Sequence, residues 1–398
     1  MVKISFLGDI MCERPFLKAA HQKSGYNFSG FLSPCASLFK GSDYIIGNLE
    51  TPCDFTSGVT KDMFVFNAPI ELLQSLKASG IDFVTTATNH CLDRGSSGLK
   101  NSIKAMEDIG ISHTGTFISP ADKRYSVIKF ADGTKIAVLS YTYGTNYMDN
   151  KVVISENEFY LVNYLTPPYS GRNKAYDEMN YSLRAKLTRM IPRGLRIRIN
   201  SILGRSFDLS FTDKIQEGDI VQECLKEIAE TIQMAKTEAD LVFLCPHFGG
   251  QFNTAPGSYV KTFTEFFQNH NVDVMVGNHP HVAQKVERVK KNMIAAYSLG
   301  NISMSLSTPY VVRDNLPDYS IMLHIYVDNK KITKIGFSIL VEREHNGFIT
   351  VVPLHKLYED SARQERLDLE KNCTIICNRI LGTKNEFVSI SDEYAIEV

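Results

Sequence analysis

The chain lacks the features that mark several large classes of protein. No window of its 398 residues approaches the roughly 20 consecutive apolar residues that a membrane-spanning helix needs. The amino terminus enters strand-like sequence at Lys3, with no basic region and apolar run, so we expect no signal peptide. A net charge of −1 gives no general attraction to nucleic acid or to an anionic membrane. These absences predict a cytoplasmic protein without a membrane span and without a nucleic-acid partner.

Several catalytic and structural motifs are also missing. The eight cysteines are scattered and include no Cys-x-x-Cys pair, so neither a zinc knuckle nor a redox motif is indicated. We interpret them as reduced thiols, as is usual in a cytoplasmic protein. No Gly-x-Ser-x-Gly elbow and no Walker-type Gly-Lys-Ser/Thr sequence occurs, which argues against a serine hydrolase and an NTPase.

What remains is typical of a soluble α/β protein. The hydrophobic fraction of 43% and the charged fraction of 22% are ordinary for a globular chain with a sizeable core. Short apolar, β-prone runs alternate with amphipathic stretches that end at glycine, a pattern that predicts a layered α/β fold. We expect strands at 3–11, 43–52, 81–90, 125–130, 135–141, 240–247, 273–276, 293–298, 320–327, 331–341 and 349–354, and helices at 14–20, 69–79, 98–108, 219–236 and 259–269.

The segment 147–216 differs from the rest of the chain. It is polar and weakly periodic, and it contains a basic cluster between Arg184 and Arg205. Such a segment is typical of a mostly helical insertion with a solvated charged face, or of a lid that attracts an anionic substrate. The pattern does not decide between them. We therefore expect a domain in two parts, 1–146 and 217–355, interrupted by this insertion and followed by a tail at 356–398.

Five of the predicted strands end in the same kind of residue. Their tips carry Asp9, Asn48 with Glu50, Asn89 with His90, His247, and His279 with His281. In open α/β sheets, ligands bind at the carboxyl ends of the strands. Carboxylates, an amide oxygen and imidazoles together suit Mn²⁺, Fe or Zn²⁺ rather than Ca²⁺. The number of potential ligands exceeds the four of a structural zinc site, which indicates up to two ions that activate a water molecule.

One strand tip has an unusual sequence, because Pro280 separates His279 from His281. Proline fixes its own φ and favours an extended conformation in the residue before it. We therefore expect a stiff His-Pro-His step, extended at His279, that presents both imidazoles to one point.

A set of motifs resembles, in order, the CapA/PgsA family of poly-γ-glutamate and capsule biosynthesis. This family belongs to the calcineurin-like metallophosphoesterase superfamily. The resemblance covers about residues 1–305, excludes the basic insertion, and rests on Gly8–Met11, Asn48–Glu50, Thr88–Gly95, Pro246–Gly249, Gly277–Val282 and Tyr297–Asn301. It implies an α/β/β/α metallophosphoesterase-like sandwich with a mostly helical insertion.

The resemblance also implies roles for individual residues. Asp9, Glu50, Asn89, His247, His279 and His281 match positions that hold or approach the two metals, with Glu50 as the bridging carboxylate. His90 matches the histidine that protonates a leaving oxygen, and we expect Asp93 to orient it. The sequence departs from the wider superfamily twice. Met11 stands where a histidine ligand is usual, and Glu50 stands where an aspartate is usual.

Two functions follow from this reading. The first is a metal-dependent hydrolase with one or two Mn, Fe or Zn ions, acting on an anionic small molecule or polymer. The alternative is a non-catalytic binding or assembly protein for an anionic capsule polymer or its synthase. Capsule-synthesis proteins are then the expected partners.

Overall fold

The computed structural model describes residues 1–60, 64–168, 213–289, 293–308, 311–345 and 347–397, together with Leu187 and Met190. The strands are β1 (Val2–Ile10), β2 (Tyr44–Leu49), β3 (Phe83–Thr85), β4 (Ser112–Thr114), β5 (Ser126–Lys129), β6 (Lys135–Thr142), β7 (Leu241–His247), β8 (Val274–Val276), β9 (Val286–Arg288), β10 (Ile294–Ala296), β11 (Tyr319–Asp328), β12 (Lys331–His345), β13 (Phe348–Pro353) and β14 (Tyr394–Ala395). The helices are α1 (Arg14–Ala20), α2 (Ala36–Lys40), α3 (Ile70–Ala78), α4 (Gly95–Ile109), α5 (Tyr147–Asn150), α6 (Gln222–Glu238), α7 (Ser258–Asn269), α8 (Leu354–Asp360) and α9 (Arg363–Leu381). Short 3₁₀ helices lie at Ser33–Cys35, Glu156–Leu161 and Arg313–Asn315.

The strands form two mixed sheets. The first has the order β13-β12-β11-β1-β2-β3-β4, with β14 added beside β12. The second has the order β5-β6-β7-β8-β10-β9. Strands β1 to β4 are parallel to one another, as are β6, β7, β8 and β10. The carboxyl ends of the parallel strands therefore meet at one edge of each sheet, which is where α/β folds bind ligands.

The sheets pack face to face, and helices cover their outer faces. The cluster between the sheets includes Phe6 of β1 and Phe243 of β7, whose ring centroids are 5.9 Å apart. The neighbours Val242 and Leu244 point the other way, into a cluster with α6 and α7, as the two-residue period of a strand requires. Helices α1, α3 and α4 cover the outer face of the first sheet. The predicted α/β/β/α sandwich is therefore confirmed.

Most predicted elements occur close to their expected bounds, but the strand expected at 81–90 is much shorter. Strand β3 ends at Thr85, and the chain then forms successive turns in which Cys91, Asp93 and Gly95 donate backbone hydrogen bonds to residues 88, 90 and 92. The prediction was wrong there because Thr-Thr-Ala-Thr has the composition of a strand. Strands β4, β9 and β14 were not predicted.

The carboxy-terminal residues belong to the same core. Helix α9 places Leu369, Cys373, Ile376 and Cys377 in the cluster between the sheets, and β14 pairs with β12. The basic cluster between Arg184 and Arg205 lies outside the described residues, so the role predicted for the insertion stays a prediction, as do the domain bounds. Within the described ranges, no helix combines the length and apolar character needed to cross a membrane.

Candidate metal centre

Five buried side chains with metal-ligand chemistry converge at the edge where the central strands end. Asp9 lies in β1 and Glu50 follows β2, whereas His247 ends β7 and both His279 and His281 follow β8. Their donor atoms form two groups, Glu50 with His247 and His279, and Glu50 with Asp9 and His281. Within each group all atoms lie within 4.8 Å of one another. The site therefore spans both sheets, and Glu50 is common to its two halves.

Backbone contacts hold these strand ends together. Asp9 pairs with Asn48 in the β1–β2 ladder, and the Glu50 amide donates to the Ile10 carbonyl at 2.9 Å. In the second sheet, His247 forms a bridge with Asn278. Two carboxylates thus come from the first sheet and three imidazoles from the second.

The loop that carries His279 and His281 departs from the expected geometry. His279 has φ of +104° and His281 has φ of +58°, so the extended conformation predicted at His279 is wrong. Left-handed backbone costs a residue with a side chain on the order of 1–3 kcal/mol. The surrounding structure offsets this cost, because the His279 amide donates to Asp9 Oδ2 at 3.2 Å and the Pro280 carbonyl accepts from Phe252 at 2.7 Å.

Asn48 organises the carboxylate side of the site, a role that the sequence analysis missed. Its Nδ2 donates to Asp9 Oδ1 at 2.8 Å and lies 3.2 Å from His247 Nδ1. Its own Oδ1 accepts from the Thr85 hydroxyl at 2.8 Å, which fixes the orientation of the carboxamide. The sequence signal was the spacing of Asn48 and Glu50, two residues apart at one strand tip.

The turn after β3 delivers the other predicted residues. Asn89 Oδ1 lies 2.7 Å from His247 Nε2, and His90 Nδ1 lies 2.7 Å from Asp93 Oδ2. Asp93 also accepts the Phe66 amide at 2.7 Å. The structure therefore brings all eight predicted site residues to one region, and their individual roles remain predictions.

The charges in this buried site are strongly coupled. Burial works to raise the pKa of Asp9, but the hydrogen bond and charge of His281 and the charge of His247 lower it below its ordinary value. Burial and then repulsion from Asp9 hold the pKa of Glu50 well above its usual range. Burial lowers the pKa of His247 to about 4. Burial also works to lower the pKa of His281, but the charges of Glu50 and Asp9 raise it.

Unsatisfied polar atoms show that the donor set fits a cation. Among the described residues, neither oxygen of Glu50 has a hydrogen-bond partner, and nor does Nε2 of His281. Both side chains are fully buried. A buried polar atom without a partner costs roughly 1–3 kcal/mol, and more if it is charged. A divalent transition metal would satisfy these atoms and neutralise the two repelling carboxylates.

Met11 stands where the resemblance implied a histidine ligand, and its thioether offers no nitrogen donor. Its sulfur lies 3.0 Å from Asn301 Nδ2, and its side chain packs in a buried apolar cluster with Phe66, Val282 and Met304. The Asn301 amide in turn lies 3.4 Å from His281 Nδ1. Met11 therefore supports a neighbour of the site rather than adding a nitrogen ligand.

Comparison with known proteins identifies the family. Residues 3–305 match the family described as bacterial capsule synthesis protein PGA_cap. The chain is 24% identical to the PGA biosynthesis protein CapA of Bacillus subtilis (strain 168), over 76% of this chain and 63% of that protein. It is 22% identical to the capsule biosynthesis protein CapA of Bacillus anthracis, over 75% of this chain and 58% of that protein. The match thus spans less than two thirds of either relative.

A solved structure of a novel phosphatase from Mycoplasma pneumoniae is 12% identical, with a TM-score of 0.40, over 87% of this chain and 95% of that one. Because the family match covers most of the sequence, from the first strand to the loop after β10, the chain belongs to the bacterial capsule synthesis protein family PGA_cap, as its motifs predicted.

Proposed function

We propose that this protein is a metal-dependent hydrolase of phosphoester type that acts on an anionic substrate in capsule-polymer metabolism. The observation that supports it most directly is the buried convergence of Asp9, Glu50, His247, His279 and His281, in which both oxygens of Glu50 and Nε2 of His281 have no hydrogen-bond partner within the described part of the chain. The names of the relatives supply the setting, since both refer to capsule or PGA biosynthesis.

The two groups of donor atoms indicate how metal would be held. Asp9 and His281 would serve one ion, His247 and His279 a second, and Glu50 would bridge them. Asn89, whose carboxamide oxygen points at His247, lies beside the second position. When bound, such metals polarise a substrate oxygen and lower the pKa of water.

His90 is the proposed general acid. Asp93 engages its Nδ1, so Nε2 is the nitrogen left to face a substrate. Burial works to lower the pKa of His90, but the charge of Asp93 and its hydrogen bond raise it above the ordinary value. A raised pKa lets the imidazole keep its proton to higher pH, which suits a group that protonates the leaving oxygen of an ester.

A turnover panel tests the proposal. The full chain, supplied with Mn²⁺, is assayed with phosphomonoesters, phosphodiesters and γ-glutamyl peptides, and we expect turnover of a phosphoester that the His90→Gln variant loses. Turnover of γ-glutamyl peptides alone would support a hydrolase but would contradict a phosphoester substrate. Binding of poly-γ-glutamate without any turnover would instead support the binding or assembly protein.

A further inference from the structure

The segment that follows β6 closes over the His90–Asp93 pair. Asn146 Nδ2 lies 3.4 Å from His90 Nε2, and Asn150 Nδ2 donates to Asp93 Oδ1 at 3.1 Å. One asparagine at each end of this short segment thus contacts one member of the pair. The two asparagines differ in how firmly they are held, and that difference indicates their roles.

Asn150 is committed to contacts within the protein. Its Nδ2 also donates to the Thr145 carbonyl at 2.8 Å, and its Oδ1 accepts the Val152 amide at 2.8 Å. Asn146 is held loosely by comparison, since its contacts to His90 and to the Tyr143 hydroxyl are both 3.4 Å long. Asn146 is also only half-buried, whereas His90 is buried. Asn150 therefore fixes the segment, and the carboxamide of Asn146 has hydrogen-bonding capacity to offer a ligand.

The surroundings of His90 leave one route for its proton. Asp93 occupies Nδ1, and the Phe66 ring covers the imidazole with centroids 4.2 Å apart. A leaving oxygen must approach within about 3.2 Å of Nε2 to receive the proton. Because Asn146 Nδ2 lies 3.4 Å from Nε2, an oxygen that approaches Nε2 comes within reach of the Asn146 carboxamide.

We propose that Asn146 is a substrate-binding residue that hydrogen-bonds a phosphoryl oxygen of the substrate beside His90. This inference rests on the proposed phosphoester function. A carboxamide suits the task because its NH₂ group can donate to an anionic oxygen while its carbonyl oxygen accepts from the Tyr143 hydroxyl. The backbone at this position also favours asparagine, since residue 146 has φ of +49°, a left-handed conformation that asparagine tolerates better than most residues.

Tyr143 lies between Asn146 and the proposed metal ligands. Its ring packs against the imidazole of His279 with centroids 4.8 Å apart, and its hydroxyl contacts Asn146. Tyr143 therefore connects a proposed metal ligand to Asn146, so a phosphoryl group held between the metal ligands and His90 would lie close to both residues.

Two variants and a matched control test the inference. Asn146→Gly keeps the left-handed backbone and removes the carboxamide, while Asn146→Asp keeps the shape and adds a negative charge. Asn329, at φ of +48° in the exposed β11–β12 turn, provides Asn329→Gly and Asn329→Asp as controls for the backbone. The probe is inorganic phosphate, titrated calorimetrically into the Mn²⁺-loaded full chain, with metal content measured in each variant.

We expect Asn146→Asp to weaken phosphate binding by roughly tenfold or more and Asn146→Gly to weaken it by less, because only the former adds repulsion. Metal content and the Asn329 variants should match the wild type. Unchanged phosphate affinity in both Asn146 variants would overturn the inference, even with slower turnover, because Asn146 would then only position His90. Failure of the metal-loaded wild type to bind phosphate would overturn it too. Phosphate binding without ester turnover would contradict the proposed hydrolase and leave this contact standing.

Discussion

The imidazole Nδ1 of His281 lies 2.9 Å from the carboxylate Oδ2 of Asp9, although 272 residues separate them in the chain. Both side chains are fully buried. Asp9 belongs to the first sheet, and His281 follows a strand of the second. The contact therefore ties the two sheets together at the edge where the proposed metal ligands meet, and it couples the stability of the sandwich to the charge of the site.

Replacing Glu50 by glutamine should stabilise the metal-free protein. In that state burial and then Asp9 raise the pKa of Glu50. A carboxyl whose folded pKa is raised binds protons more tightly when folded, so its contribution to stability falls as pH rises above its unfolded value of about 4.3. We expect chelator-treated Glu50→Gln to melt at a higher temperature than chelator-treated wild type at pH 8.

The same variant should lose the rise in melting temperature that Mn²⁺ gives the wild type. Glu265→Gln, on the exposed face of α7, is the matched control and should behave as wild type in both states. A metal-free Glu50→Gln protein that melts below the wild type would contradict the account of the site's charge.

Replacing Asp93 by asparagine should shift the pH profile of turnover. Asp93 raises the pKa of His90 against the effect of burial, so its removal lowers that pKa. Because the proposed acid must be protonated, the loss of kcat at alkaline pH should move to lower pH, with kcat itself falling by up to roughly 10²-fold. Asp108→Asn, exposed on α4, is the control. If kcat falls at the same alkaline pH in Asp93→Asn as in the wild type, His90 is not the general acid.

Replacing Gly277 by alanine should destabilise the fold and the site together. A Cβ at Gly277 would lie 2.2 Å from the Tyr297 carbonyl oxygen, a backbone atom that cannot rotate away. We expect a loss in the free energy of unfolding of roughly 1–3 kcal/mol or more, because strands β8 and β10 must separate. Urea denaturation measures it, with Gly30→Ala as the control, since a Cβ there meets nothing within 4 Å. If Gly277→Ala and Gly30→Ala are equally stable, β8 and β10 separate at little cost in free energy, which contradicts the prediction.

The buried His324 should make the protein less stable as the pH falls below neutral. It lies buried between Ser5 and Ser338, 2.8 and 3.0 Å from their hydroxyls, and burial and then Lys3 lower its pKa to about 3. A histidine with a lowered folded pKa stabilises the protein above its unfolded value of about 6.5, and this contribution is lost as pH falls from there toward 3.

Below pH 6.5 the free energy of unfolding of the wild type should therefore fall with each pH unit by about 1.4 kcal/mol more than that of His324→Phe. Denaturant unfolding at several pH values from 7 to 5 gives the two slopes. Ser5 and Ser338 keep other partners, Ser42 and the Asp392 carbonyl, so we expect the variant to fold. Parallel slopes would show that His324 does not titrate on unfolding in this range.

The sequence predicted the positions of the site residues better than the shape of the chain around them. Strand tips such as Asp9 and His247 were visible because apolar runs end abruptly in polar residues, and parallel strands bring such ends together. The extended conformation expected at His279 failed because local preference next to Pro280 is worth less than the contacts that the loop makes with Asp9 and Phe252.

Residues that act through other side chains were harder to predict. Asn146 and Asn150 lie in a polar run whose partners, His90 and Asp93, are 56 and 57 positions earlier in the chain. No local period or spacing marks such a contact, because it depends on where β6 lies relative to the turn after β3. Asn48 was visible at its strand tip, but its bond to Thr85 depends on the pairing of β2 with β3.

Metal content is the most direct test of the central claim, that side chains from both sheets bind a transition metal together. The full chain, expressed with Mn²⁺, Fe²⁺ and Zn²⁺ supplied and purified without chelator, is analysed by inductively coupled plasma mass spectrometry beside His281→Ala and the exposed control His345→Ala. We predict stoichiometric transition metal in the wild type and in the control, and a clear loss in His281→Ala. A wild type without bound transition metal, or a His281→Ala variant that retains all of it, would contradict the account.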